Sequence, residues 1–94
     1  RVLFRSEEHA ELDARLTELE EEFGVLFTSR RTIASGRQRL VYLTMDVPGG
    51  WTVLAAHDIA DRIEDNIDEL FPGAEVFIHV EPAGTVHRRI LRMP

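Results

Sequence analysis

The chain contains no cysteine and no lysine. The first absence excludes disulfides, thiolate metal sites and cysteine nucleophiles. The second leaves eleven basic residues, all arginine, against seventeen acids, for a formal charge of −6. A balance of that sign argues against nucleic acid as a partner, since such binders carry a clustered basic surface. No apolar run approaches the ~18–20 residues of a membrane span, and no secretory leader is visible, so the segment itself is not membrane-embedded. Catalytic signatures are missing as well. There is no glycine-rich phosphate loop, no G-x-S-x-G elbow and no H-E-x-x-H, and Ser29 and Ser35 have no histidine nearby in sequence. The chain therefore reads as a non-enzyme.

What is present is the patterning of an ordinary globular domain, 44% apolar and 30% charged over 94 residues. Residues 1–94 read as one domain, with a basic tail over 83–94. Leu12, Leu16, Leu19 and Phe23 recur at helical spacing, and Ser6 stands as N-cap with Glu7 and Glu8 in the favoured first turn, predicting a helix over 7–23 that stops at Gly24. Residues 25–33 read as a strand, Ala34-Ser35-Gly36 as a hairpin turn, and 39–47 as a second strand broken by Pro48-Gly49-Gly50. Thr52 caps a second helix with the stripe Ala56, Ile59, Ala60, Ile63, Ile67, Leu70, ended by Pro72-Gly73. A strand over 74–80 follows, with Val76, Ile78 and Val80 on one side and Glu75, Phe77 and His79 on the other. Residues 86–91 are expected to pair weakly at a sheet edge.

The order helix, strand, strand, helix, strand, with one apolar face per element, predicts two helices packed on one side of a small mixed sheet. That is an α+β, ferredoxin-like αββαβ sandwich. Leu40, Tyr42 and Phe77 then lie on the side away from the helices, an apolar surface that calls for a partner, with self-association as the default. Trp51, beside two glycines, either caps the core or joins such a surface.

The histidines offer the chemistry. His57 and Asp61 are i,i+4 neighbours on the second helix. His79 and Glu81 are two apart on a strand, on the same side and roughly 7 Å apart between Cα atoms. Each pair supplies one nitrogen and one oxygen, a donor set suited to a divalent ion. Each is also the kind of solvated pair that surfaces carry without function. His9 with Asp13 repeats the helical spacing, and His87 lies in the tail; both read first as surface groups.

The segment Ala56-His57-Asp58-Ile59-Ala60-Asp61-Arg62-Ile63-Glu64 resembles the A-H-x-I/V-A-D/E-x-I/V-E helix of the cytoplasmic C-terminal domain of cation diffusion facilitator transporters. Phe71-Pro72-Gly73-Ala74-Glu75-Val76 resembles that family's F-P-G turn, and Ile78-His79-Val80-Glu81-Pro82 its I-H-x-D/E-P strand end. The likeness covers residues 40–82 well, and 7–33 in pattern only.

The resemblance implies a homodimer opening as a V below the membrane part of an integral transporter, on its cytoplasmic face. In this picture Leu3-Phe4-Arg5 end the linker from the last membrane helix. Divalent cations would bias the V toward its closed, active form. It implies His57, His79 and Glu81 as metal ligands, with Asp61, His87, His9 or a residue of a second copy completing the shell. Zinc stands first among the metals, with cadmium, manganese or iron as other candidates. Many zinc-transporting members carry a histidine near the positions of Phe27, Thr28 and Ser29 and another at Thr44, so this chain has about half the usual nitrogen ligands. A dimerisation scaffold without metal is the alternative function, and a small-ligand regulatory domain or small enzyme of the same fold a second one.

Overall fold

A computed structural model describes residues 4–84 of the chain. Five elements follow one another: α1 (Ser6–Phe23), β1 (Leu26–Ser35), β2 (Gln38–Val47), α2 (Val53–Leu70) and β3 (Glu75–Pro82). The sheet order is β1-β2-β3, with β1 antiparallel to β2 and β2 parallel to β3. A two-residue turn suffices for the antiparallel pair, whereas the parallel pair needs the crossover that α2 supplies. This is the expected αββαβ arrangement. The expected edge pairing of residues 86–91 lies outside the described residues.

Helix α1 buries Leu12, Leu16 and Leu19, and α2 buries Ala56, Ile63 and Ile67. These are the predicted stripes, with Phe23, Ile59, Ala60 and Leu70 half-buried around them. The facing layer is the odd-numbered set of β2, Val41, Leu43, Met45 and Val47, each 5% exposed or less. Across the parallel register Val76, Ile78 and Val80 stand beside Val41, Leu43 and Met45. No polar or charged residue is fully buried among the described residues. Burial of apolar surface therefore stabilises this layer without a hydrogen-bond network, at about 1.5–3 kcal/mol per fully buried large side chain.

Three boundaries differ from the sequence expectation. Helix α1 includes Ser6, and Arg5 is its N-cap; the Glu8 carboxylate accepts the Arg5 backbone N–H at 2.9 Å, half of a capping box. Arginine has no side-chain acceptor, so the hydroxyl cap expected of Ser6 is absent and only the Glu8 half of the box is made. The hairpin turns at Gly36 and Arg37, with Gly36 at φ +60°, because both strands run further than their apolar residues alone suggest. β3 continues through Glu81 and Pro82, opposite Asp46 and Val47 of β2. Thr52 caps α2 as expected, its hydroxyl accepting the Ala55 N–H at 3.0 Å. A β-bulge at Thr28, between the Phe27–Met45 and Ser29–Thr44 pairs, switches which residues of β1 face the helices.

Side-chain ties fasten the layers. Arg15 reaches from α1 to α2, donating to the Asn66 side chain at 3.0 Å and pairing with Glu69 at 3.1 Å, with its own-helix neighbour Glu18 at 3.7 Å. Arg39 at the start of β2 pairs with Glu8 at 2.8 Å, and its guanidinium carbon lies 5.2 Å from the Phe4 ring and 5.6 Å from the Phe71 ring. Phe4 meets Phe71 edge-on at 5.4 Å.

Candidate functional site

His57 occupies the second turn of α2, on the flank of the stripe that enters the core, so its ring stays in solvent. One turn further, Asp61 places Oδ2 3.5 Å from the imidazole Nδ1. Both border a groove of about 390 Å³ between α2 and β3, floored by Val53, Ala56, Ile78 and Val80 and edged by Glu64. Burial, reinforced by Asp61 and Asp65, pushes the Glu64 carboxyl above the ordinary carboxylate range, with His57 acting in the opposite sense. Glu64 was not singled out in the sequence, although its i+3 and i+7 spacing from Asp61 and His57 puts it on their side of the helix.

His79 and Glu81 stand on β3 opposite Thr44 and Asp46. Their Nε2 and Oε2 atoms are 3.0 Å apart; the histidine is open to solvent and the Glu81 side chain largely covered. A concavity of about 520 Å³ runs past His79, Phe77, Tyr42, Thr44 and Ser29.

The two pairs do not meet within one protomer. α2 packs against the β3 side that carries Val76, Ile78 and Val80, whereas His79 alternates to the opposite side. Among the described residues no group of three or more histidine, aspartate or glutamate side chains could together hold a metal ion. The ligands that the resemblance implies, His57 with His79 and Glu81, are thus not brought together inside a single chain.

His9 is engaged elsewhere. Its Nε2 lies 2.8 Å from the Thr32 hydroxyl and its ring stacks on Phe4 at 5.5 Å, while Asp13 grips Arg30 through two hydrogen bonds of 2.8 and 2.6 Å. The expected His9–Asp13 neighbourhood gives way because a guanidinium fork matches a carboxylate better than an imidazole does. His87 lies outside the described residues.

The surface opposite the helices carries Tyr42 stacked on Phe77 at 5.0 Å, with the Arg31 guanidinium 5.5 Å from the Tyr42 ring. Leu40 is half-buried there, and Phe77 remains 47% exposed. Trp51 is not part of this surface. It sits half-buried near Pro48, Val53 and Pro82 at the start of α2 and packs against the core, as a cap.

Each pair is compatible with one divalent ion. Two ligands about 2.1 Å from a metal at a near-tetrahedral angle lie about 3.4 Å from one another. The observed 3.5 and 3.0 Å separations fall to either side of that value. Each pair supplies two ligands, so a complete shell needs donors from beyond it.

Two helices on one side of a three-stranded mixed sheet define the class of the fold, a small α+β sandwich. The family described as "Cation efflux protein, cytoplasmic domain" matches residues 6–83, and the chain belongs to it. An uncharacterised transporter of Synechocystis is 39% identical over 62 residues, which are 66% of this chain and 20% of that protein. The cation-efflux pump FieF of Salmonella typhimurium is 34% identical over 58 residues, 62% of this chain and 19% of the pump. The chain thus spans about a fifth of the length of these relatives. Among solved structures, the zinc form of the putative zinc transporter CzrB superposes with a TM-score of 0.76 at 30% identity, covering 88% of this chain and 93% of that one. The metal-bound C-terminal domain of the CzcD transporter of Thermotoga maritima, at 22% identity and a TM-score of 0.71, shares the fold. Among the described residues no helix is long and apolar enough to cross a membrane.

Proposed function

We propose that this domain joins two copies of a divalent-cation efflux transporter at its cytoplasmic side and senses the cation. His57 with Asp61 and His79 with Glu81 each offer a nitrogen and an oxygen, and a residue of the second copy completes the shell. The observation that carries this reading is the pair of matched N···O separations, 3.5 and 3.0 Å, on opposite sides of the sheet. Ligands that cannot converge in one chain gain a common ion only when a second chain brings its own. Ion binding then draws the two arms of a V-shaped dimer together and biases the membrane part toward transport. Zinc suits the imidazole–carboxylate set best, with cadmium, manganese and iron following on ligand chemistry. The zinc-bound form of CzrB is consistent with this choice.

A metal-free dimerisation scaffold is the second reading, favoured by Ser29 and Thr44 standing beside His79 where nitrogen ligands would strengthen a site. Calorimetric titration with zinc, cadmium and manganese separates the two. Micromolar or tighter binding that His57→Ala with His79→Ala abolishes supports the sensor. No heat, with an unchanged dimer in chelator, leaves the scaffold. Because histidines must be neutral to ligate, affinity should fall steeply below about pH 6. Affinity that stays flat from about pH 7.5 to 5.5 would rule histidine ligation out.

A further inference from the structure

Glu20, in the last turn of α1, holds the junction between α1 and β1 with two different groups. Its backbone carbonyl accepts the N–H of Gly24 at 2.9 Å and that of Val25 at 3.3 Å, which closes the helix. Its carboxylate Oε2 accepts the N–H of Phe27, the second residue of β1, at 2.8 Å. One acid thus takes the N–H groups of Gly24, Val25 and Phe27.

The carboxylate bond falls at the β-bulge. Counted back from the hairpin, the pairs from Ser35–Gln38 to Ser29–Thr44 follow an unbroken register. An unbulged strand would continue with Thr28 opposite Met45, Phe27 opposite Asp46 and Leu26 opposite Val47. The observed pairs are Phe27–Met45 and Leu26–Asp46, one step out of phase. A slip of one residue sends each side chain to the other side of the sheet. Phe27 therefore packs against the core, and Leu26 stands on the open side, 55% exposed. Leu26, Asp46 and Glu81 form one cross-strand row there, next to the row of Ser29, Thr44 and His79. The unbulged phase would put the Phe27 ring at the head of the first row and Thr28 under the helices.

Two opposing effects decide the phase. Burial of the Phe27 ring in place of the Thr28 side chain favours the bulge. A bulge also disrupts the ladder locally, and a part-buried N–H left without an acceptor is costly. The Glu20 carboxylate is the acceptor that Phe27 finds. We propose that Glu20 is a positioning residue for the open side of the sheet. By holding the Phe27 N–H it locks the start of β1 in the bulged phase, and so places Leu26 rather than Phe27 in the row that ends at Glu81. The lock depends on neither metal binding nor self-association.

The chain has no native cysteine, so engineered pairs in the full chain report the phase directly. Leu26→Cys with Asp46→Cys marks the bulged phase and Phe27→Cys with Asp46→Cys the unbulged one, since directly opposite residues lie within disulfide reach. The quantity to follow is the ratio of the two intramolecular closure rates under mild oxidation. Glu20→Ala should lower that ratio about tenfold or more, and Glu20→Gln, whose amide oxygen still accepts, should restore most of it. Deleting Thr28 removes the need for a bulge, because the unbroken register then yields Phe27–Met45 and Leu26–Asp46 by itself. In that shortened chain the ratio should stay high whether residue 20 is glutamate or alanine. A ratio that Glu20→Ala leaves unchanged overturns the proposal. So does an equal drop with and without Thr28, which would reduce Glu20 to a general support of the junction.

Discussion

The two sides of the sheet are made from alternate residues of the same strands, yet they do different work. The side under the helices is closed and apolar at its centre, with Val41, Leu43 and Met45 against Leu12, Leu16, Leu19, Ile63 and Ile67. The other side is open and mixed: Tyr42 on Phe77, Arg31 against the ring, and His79 with Glu81 at its end. The first specifies the fold. The second leaves its aromatic and charged groups in reach of solvent. In a strand, one step in sequence separates the two roles.

Substitutions should divide along the same line. On the closed side, Ile63→Ala should have the largest effect, about 2–5 kcal/mol off the unfolding free energy, measured by denaturant titration. Dimerisation would then fail with the fold. On the open side, Phe77→Ser should weaken self-association by about tenfold or more in sedimentation while leaving the monomer folded, because its ring is half exposed in one chain. Equal loss of fold and dimer in that variant would erase the distinction between the sides. At the edge of the closed side, Thr52→Ala should cost about 1 kcal/mol by removing the cap on α2.

The smallest effect sharpens the comparison by pH. The Arg5 backbone N–H, with Arg39 adding its charge, holds the Glu8 carboxyl below its ordinary range despite partial burial. A depressed folded value stabilises the protein above the ordinary carboxylate pKa and is lost as pH falls through the folded value. The stability gap between wild type and Glu8→Gln should therefore be widest near neutrality and narrow below about pH 4 in thermal melts.

The closed side was legible in the sequence because each stripe is local. Spacing of three and four marks Leu12, Leu16 and Leu19, alternation marks Val41 through Val47, and Thr52 announces its helix. The separation of the two histidine pairs runs against the ligand set that the resemblance implies, although alternation accounts for it. Alternation already set His79 with Phe77 and away from Val76, Ile78 and Val80, whereas α2 had to cover the latter three. What could not be read were the contacts between distant segments. Arg30 capturing Asp13, Thr32 meeting His9, and Arg39 between Phe4 and Phe71 each join residues whose approach only the finished fold determines. The bulge at Thr28 likewise leaves no mark in composition, since it adds one polar residue to a stretch already polar.

The contacts of Arg39 have a mechanical consequence. Its guanidinium touches the ring that begins the described chain, the ring that ends α2, and a carboxylate of α1, while its own backbone starts the central strand. A pull or twist arriving at Phe4 is therefore shared at once among sheet and both helices. One side chain thus rivets the start of the described residues to the sheet and to both helices.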